Sequence, residues 1–107
     1  MEETGKVVVF ITAASSEEAR EIARLLVERR RAACVSILPK VESLFWWQEQ
    51  LDSATESLLV AKTRASLLPD VVSIVKEVHS YEVPEVVAVP IVGGNPDYLR
   101  WMDITCG

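Results

Sequence analysis

An α+β sandwich, with four antiparallel strands, two helices on one face and a short third helix at the end, is the architecture this sequence predicts. Three observations carry it. Apolar β-branched runs alternate with helical periodicities in the order strand, helix, strand, strand, helix, strand. Right-handed crossovers then place both helices on the same face of one sheet and make the second and fourth strands its edges. Pro90 falls inside the fourth run, and proline within a sheet is tolerated mainly at an edge. The arrangement is a ferredoxin-like split βαβ, βαββαβ plus a short C-terminal helix, expected to occupy residues 1–107 as a single domain.

Each element has its local reason. Lys6 to Thr12 holds Val7-Val8-Val9-Phe10-Ile11, a continuous apolar run that suits a strand covered on both faces. Ser15 with Glu18 has capping-box spacing. Ala19, Ile22, Ala23, Leu26 and Val27 then recur at helical spacing, and Arg29-Arg30-Arg31 sits at the helix's negative end, where a solvated turn explains it better than a binding patch. A second apolar stretch runs from Ala33 through Ile37-Leu38 to Phe45-Trp46-Trp47 and Leu51, and a third covers Ser57 to Thr63. Asp52 to Thr55 reads as the turn between them. Ser66 is the expected cap of a second helix with Leu68, Val71, Val72, Val75 and Val78 on its apolar face and Pro69 in its first turn. Val86 to Val92 is the fourth strand, Gly93-Gly94 breaks it, and Asn95 caps a terminal helix that starts at Pro96 and carries Tyr98, Leu99 and Trp101.

Composition narrows the function. Eleven Lys and Arg against sixteen Asp and Glu leave a formal charge of −5, a poor match for a phosphate backbone, so no nucleic acid is expected as a partner. No run reaches transmembrane length, so no membrane is expected either. Met1 to Lys6 lacks the layout of a secretion signal, and the cytoplasm is the expected compartment. Two cysteines, Cys34 and Cys106, form no recognisable disulfide or metal spacing.

A lone subunit looks incomplete. Cys34 to Leu51 as one extended strand would reach on the order of 60 Å at about 3.3 Å per residue, against a domain diameter near ~35 Å. The segment must bend, most simply at Pro39, or project. Adjacent Trp46 and Trp47 face opposite sides of a strand, so one of them needs another surface. The expected cover is a second copy of the chain, with Trp46, Trp47 and Pro90 at the interface; the terminal helix with Trp101 is the competing cover.

The densest polar stretch is the connection Val78-His79-Ser80-Tyr81-Glu82-Val83-Pro84-Glu85. His79 is the only histidine. It reads either as a metal ligand alongside Glu82 and Glu85, or as a helix-end imidazole hydrogen-bonded to Tyr81 or a carbonyl. Lys62, late in a central strand, needs a partner such as Glu85 or Glu56, or lines a site for an anion. Lys62, Tyr81 and Trp101 are the expected cleft residues, with Lys62, His79, Tyr81 and Glu85 converging at one mouth of the sheet.

Six segments in order give the chain a close resemblance to the CutA divalent-cation tolerance family. They are Ile11-Thr12 before the capped helix; Arg31-Ala32-Ala33-Cys34-Val35-Ser36-Ile37; Phe45-Trp46-Trp47; Glu56-Ser57-Leu58-Leu59-Val60-Ala61-Lys62-Thr63; Val78 to Glu85; and Gly94-Asn95-Pro96-Asp97-Tyr98-Leu99-Arg100-Trp101. The resemblance implies a ferredoxin-like subunit that forms a homotrimer, binds copper or another divalent cation, and serves cation tolerance. Ser36 stands where the family usually has Asn, Glu49 where it has Gly, and Ser80 where it has Pro. Ile11 and Val78 occupy positions where some bacterial members carry Cys and His, so His79 alone of that proposed ligand set remains.

Three classes of function remain: a trimeric metal-binding protein of cation homeostasis, a PII-like small-molecule sensor or interaction scaffold, and an enzyme. No glycine-rich phosphate loop supports nucleotide binding. No nucleophile–base–orienter set is readable, so the chain is expected not to be an enzyme.

Overall fold

The computed structural model describes residues 4–107. Strand β1 (Lys6–Ala13) leads into helix α1 (Ser16–Glu28). Strands β2 (Cys34–Trp47) and β3 (Gln50–Arg64) form a long hairpin, and helix α2 (Leu68–Val78), strand β4 (Val86–Pro90) and helix α3 (Pro96–Thr105) complete the order. The sheet is antiparallel in the order β2-β3-β1-β4, so β2 and β4 are its edges, as the topology requires. Pro90 closes β4 opposite Val7 on the free edge, where no ladder bond needs its missing N–H.

Side-chain alternation decides what the sheet covers. Val9 and Ile11 of β1 and Leu59 and Ala61 of β3 point at the helices and are fully buried. There they meet Ala19, Ile22 and Leu26 of α1 and Val71 and Val75 of α2. A second cluster, Ala33, Leu67, Met102 and Cys106, forms where α3 closes one end of the sheet. Lys6 ties that end down: its ammonium, on a residue 8% exposed, meets Asp103 of α3 at 3.1 Å.

Helix α1 starts as its sequence dictates, with Ser15 Oγ accepting from the Glu18 N–H. The three arginines after it stand at a solvated turn, as expected, and also fasten it to other elements. Arg29 meets Glu77 at 3.3 Å, Arg31 meets Asp70 at 3.0 Å, and Arg30, in left-handed backbone at φ 57°, donates to the Thr105 carbonyl. Asn95 caps α3 by accepting from the Asp97 N–H. Ser66, expected to cap α2, lies instead within a 3₁₀ turn spanning Ala65–Leu67. The cap position falls on Leu67, which makes no side-chain cap bond.

The hairpin departs most from expectation. Asp52 to Thr55 is not the turn but continuous strand, paired through Phe45↔Asp52, Leu44↔Ser53, Ser43↔Ala54 and Glu42↔Thr55. The reversal is a two-residue turn at Gln48 and Glu49, both left-handed at φ 50° and 65°. β1 pairs with β3 only from Ser57 onward, so among the described residues the distal half of the hairpin pairs with nothing but itself and projects from the sheet. Projection explains the polar residues mistaken for a turn: a ribbon wet on both faces has no alternation to display. The bend falls where Pro39 suggested. Pro39 and Lys40 together stand opposite Ser57 alone, a β-bulge, with Lys40 at φ 59°.

Candidate functional site

The connection after α2 is anchored by His79. Its ring is fully buried; Nε2 lies 2.7 Å from the Thr12 carbonyl and Nδ1 accepts the Tyr81 N–H at 3.0 Å. That pairing makes Nε2 the protonated nitrogen, donating to Thr12. His79 therefore has the hydrogen bonds of the second reading from sequence, to Tyr81 and to a carbonyl. With both nitrogens engaged, it reaches a metal only by giving up one of them.

Glu18 supports the same corner. Its Oε2 accepts the Ala14 N–H and its Oε1 the Ser80 N–H, each at 2.8 Å, and Oε2 stands 3.6 Å from His79 Nδ1. Burial works to raise its pKa, but these hydrogen bonds and the neighbouring imidazole outweigh it and hold the carboxyl below its usual value. One side chain thus serves the start of α1 and the connection sixty residues on, and only the first role was readable as a local signal.

Tyr81 extends the anchor to the hairpin. Its ring lies 4.7 Å from that of His79, and its hydroxyl donates to Glu56 Oε2 at 2.7 Å. Burial first, then the Glu56 carboxylate, push the phenol up to about 12. Glu56 is only 6% exposed, so the expected Lys62–Glu56 pair gives way to Glu56–Tyr81.

Between the projecting ribbon and residues 80–85 runs a groove of about 850 Å³. Five carboxylates line it: Glu42, Asp52, Glu56, Glu82 and Glu85. Leu44, Phe45, Trp47 and Tyr81 supply apolar walls, and among the described residues no Lys or Arg lines it. Glu82, Glu85 and Tyr81 are thus brought to one groove, with His79 buried behind it.

Lys62 and Trp101 are not brought there. Lys62 is six residues along β3 from Glu56, about 20 Å away by strand geometry. It sits beside its register partner Cys34, with Nζ 3.5 Å from Sγ and 3.4 Å from Ser36 Oγ. Tyr98 stacks on Trp101 at 5.4 Å and points its hydroxyl at the same sulfur, 3.7 Å away. The expected single cleft is therefore two places at opposite ends of the sheet. Trp101 does not cover the ribbon's tryptophans: Trp46 is 73% exposed and Trp47 43%.

The groove's donors are a poor set for copper within one subunit. Copper takes imidazole or thiolate among three or more ligands. The only imidazole is engaged on both nitrogens, and no group of three or more His, Cys, Asp or Glu able to hold a metal gathers among the described residues. Carboxylates alone suit harder, oxygen-preferring cations.

Fold and site together define a ferredoxin-like α+β subunit with two open sheet edges and an acidic, aromatic-walled groove at the root of a projecting hairpin. The profile of the CutA1 divalent ion tolerance protein family matches residues 7–105, and the chain belongs to that family. The Divalent-cation tolerance protein CutA of Thermus thermophilus is 47% identical over 95 residues, covering 89% of this chain and 92% of the relative. The solved structure of the divalent cation tolerance protein from that organism superposes with a TM-score of 0.93 at 45% identity, covering 95% of this chain and 99% of the other. A rice relative, "Protein CutA 1, chloroplastic", is 43% identical over 96 residues, 90% of this chain; the chain spans about half of its length, 54%. A solved structure from Archaeoglobus fulgidus, called a periplasmic divalent cation tolerance protein, matches with a TM-score of 0.92 and 41% identity over 95% of this chain and 99% of that one. Those names place relatives outside the cytoplasm expected here. Among the described residues, no helix is long and apolar enough to cross a membrane.

Proposed function

We propose that the protein is a non-catalytic homotrimer of divalent-cation tolerance whose acidic groove holds a divalent cation weakly. The observation that carries this is five carboxylates lining one groove with no Lys or Arg beside them among the described residues. Glu82 and Glu85 are the ligands in each subunit, His79 fixes the connection that carries them, and oxygen donors from a neighbour complete the shell. The donor set favours a hard cation over copper.

Assembly is supported by what the subunit leaves uncovered. Leu44 is 75% exposed, Trp46 73% and Leu51 64% on the ribbon, while Val87 and Val89 on β4 are 51% and 45% exposed. Apolar area of this extent along two free edges calls for cover, and three copies, each ribbon reaching a neighbour, supply it at Trp46, Trp47 and Pro90. The free thiols Cys34 and Cys106 suit a reducing compartment, the cytoplasm. A second reading, a PII-like small-molecule sensor or scaffold, draws on Phe45 and Trp47 in the groove wall, which suit an organic ligand.

Chelator-stripped, untagged protein titrated calorimetrically with Mn(II) and Cu(II), beside light scattering on a sizing column, tests the proposal. Expected are three subunit masses and a weak Mn(II) signal that Glu82→Gln with Glu85→Gln removes. Binding unchanged in that double variant, or a Cu(II) signal lost only in His79→Ala, overturns the ligand assignment. A monodisperse monomer overturns the assembly.

A further inference from the structure

We propose that Lys62 and Arg64 hold a small doubly charged oxyanion, of phosphate or dicarboxylate chemistry, on the sheet face turned away from helices α1 and α2. The site is separate from the acidic groove and takes a ligand of the opposite charge.

The two side chains share that face. Ala61, beside Lys62 in β3, packs into the core with α1 and α2, so the alternate residues Lys62 and Arg64 point the other way. Arg64 keeps extended backbone, φ −84° and ψ 145°, and the alternation holds to the last residue of the strand. Two residues apart in a strand, their Cα atoms are about 7 Å from one another, within reach of one small anion for two long side chains.

Counter-charge singles them out. Among the described residues, the basic side chains wholly or partly withdrawn from water are those of Lys6, Arg31, Lys62 and Arg64. Lys6 meets Asp103 at 3.1 Å and Arg31 meets Asp70 at 3.0 Å. Neither Lys62 nor Arg64 has a described carboxylate within 4.0 Å, in a chain that carries sixteen acids. A cation drawn out of water is costly without an opposite charge beside it.

Arg64 bears a second, independent mark. Its Nε is shut off from water and has no hydrogen-bond partner among the described residues. An orphan donor of this kind belongs to a group whose planar fork matches phosphate and carboxylate oxygens. Its register partner across the ladder is Lys6, so a like charge stands opposite it instead of an acid. Lys62 Nζ makes only long bonds, to Ser36 Oγ at 3.4 Å and Cys34 Sγ at 3.5 Å, and the Tyr98 hydroxyl from α3 reaches that sulfur at 3.7 Å. Lys62 supplies a point charge, Arg64 a fork, and the hydroxyls of Ser36 and Tyr98 further donors. Two unmatched positive charges call for two negative ones.

Calorimetric titration of the native, untagged protein in Tris chloride tests the assignment, with inorganic phosphate, succinate and acetate as probes. Phosphate and succinate are expected to bind with Kd on the order of 1 mM or tighter, and acetate about tenfold more weakly. Binding by one of the two dianions alone supports the site and tells which chemistry fills it. Lys62→Gln and Arg64→Gln are each expected to weaken that binding about tenfold, while Lys76→Gln, which removes an exposed lysine, leaves it unchanged. Phosphate should raise the thermal midpoint of the native chain and not that of Arg64→Gln, and sodium chloride at matched ionic strength should raise neither. Far-UV circular dichroism of each variant guards against unfolding. No binding by either dianion, equal weakening in Lys76→Gln, or an equal effect of sodium chloride overturns the proposal. So does a drop in assembled mass of Arg64→Gln on a sizing column with no anion bound by the native protein, which gives the two cations to carboxylates of a second copy.

Discussion

Tyr81 and Glu56 meet at 2.7 Å where the projecting ribbon leaves the sheet, a phenol from the last connection donating to a carboxylate that the fold has all but removed from water. The bond ties the floor of the groove to its wall. Tyr81→Phe leaves Glu56 buried without its donor and is expected to cost about 1–3 kcal/mol. The raised phenol adds a pH signature. Its stabilisation is complete below pH 10 and is lost as pH rises toward about 12, because the unfolded chain gives up the proton first. Absorbance at 295 nm should show no phenolate from Tyr81 at pH 10.5; ordinary titration near 10 would contradict the bond.

Glu18 gives the opposite limb of the pH profile. A carboxyl held below its ordinary value of 4.5 contributes stability above that pH and loses it as acid protonates the folded state. Glu18→Gln is expected to destabilise by about 1 kcal/mol at neutral pH and by progressively less below pH 4.5. Urea midpoints measured from pH 3 to 7 check it; two parallel curves would remove Glu18 from the account.

The ribbon's turn is strained. Gln48 and Glu49 both occupy the left-handed region that glycine adopts freely. Glu49→Gly is expected to stabilise the chain by about 1 kcal/mol and to raise the thermal midpoint by roughly 4 °C. An unchanged or lowered midpoint would show that the strain is not stored there.

Trp46 tests the ribbon as an interface. At 73% exposed it contributes little to its own subunit, so Trp46→Glu should leave the far-UV spectrum unchanged. Assembly is expected to fall apart toward single-subunit mass on a sizing column. Retention of the full mass would move the contact elsewhere.

Elements with strong local signals were legible. The apolar run of β1, the Ser15 and Asn95 caps, the proline at the β4 edge and the bend at Pro39 all appear where their chemistry puts them. The hairpin turn was not, because Gln48-Glu49 carries none of the glycine or asparagine that marks such turns, while Asp52-Ser53 does carry turn residues. Ser66 misled for a related reason: a 3₁₀ turn intervenes and shifts the cap by one residue. In the site, the bonds of His79 to Tyr81 and to a carbonyl were among the options its neighbours suggested. The Glu18–Ser80 bond and the Cys34–Lys62 pair join residues 62 and 28 apart, and long-range pairing of that kind leaves no trace in local spacing.

The two open edges, β2 on one side and β4 on the other, would make the chain bivalent in the assembly proposed above. A bivalent unit that joins edge to edge has two fates: the chain of junctions closes on itself, or it grows as a fibre. What selects between them is an angle, and the bulge at Pro39-Lys40 is where this hairpin sets its angle. Deleting Lys40 leaves Pro39 alone opposite Ser57, straightening the ribbon while the pairs beyond it, from Val41↔Glu56 on, keep their faces. The expected result in electron micrographs is filaments or amorphous aggregate in place of discrete particles. Two residues opposite one on an exposed strand would then decide whether the protein is a particle or a polymer.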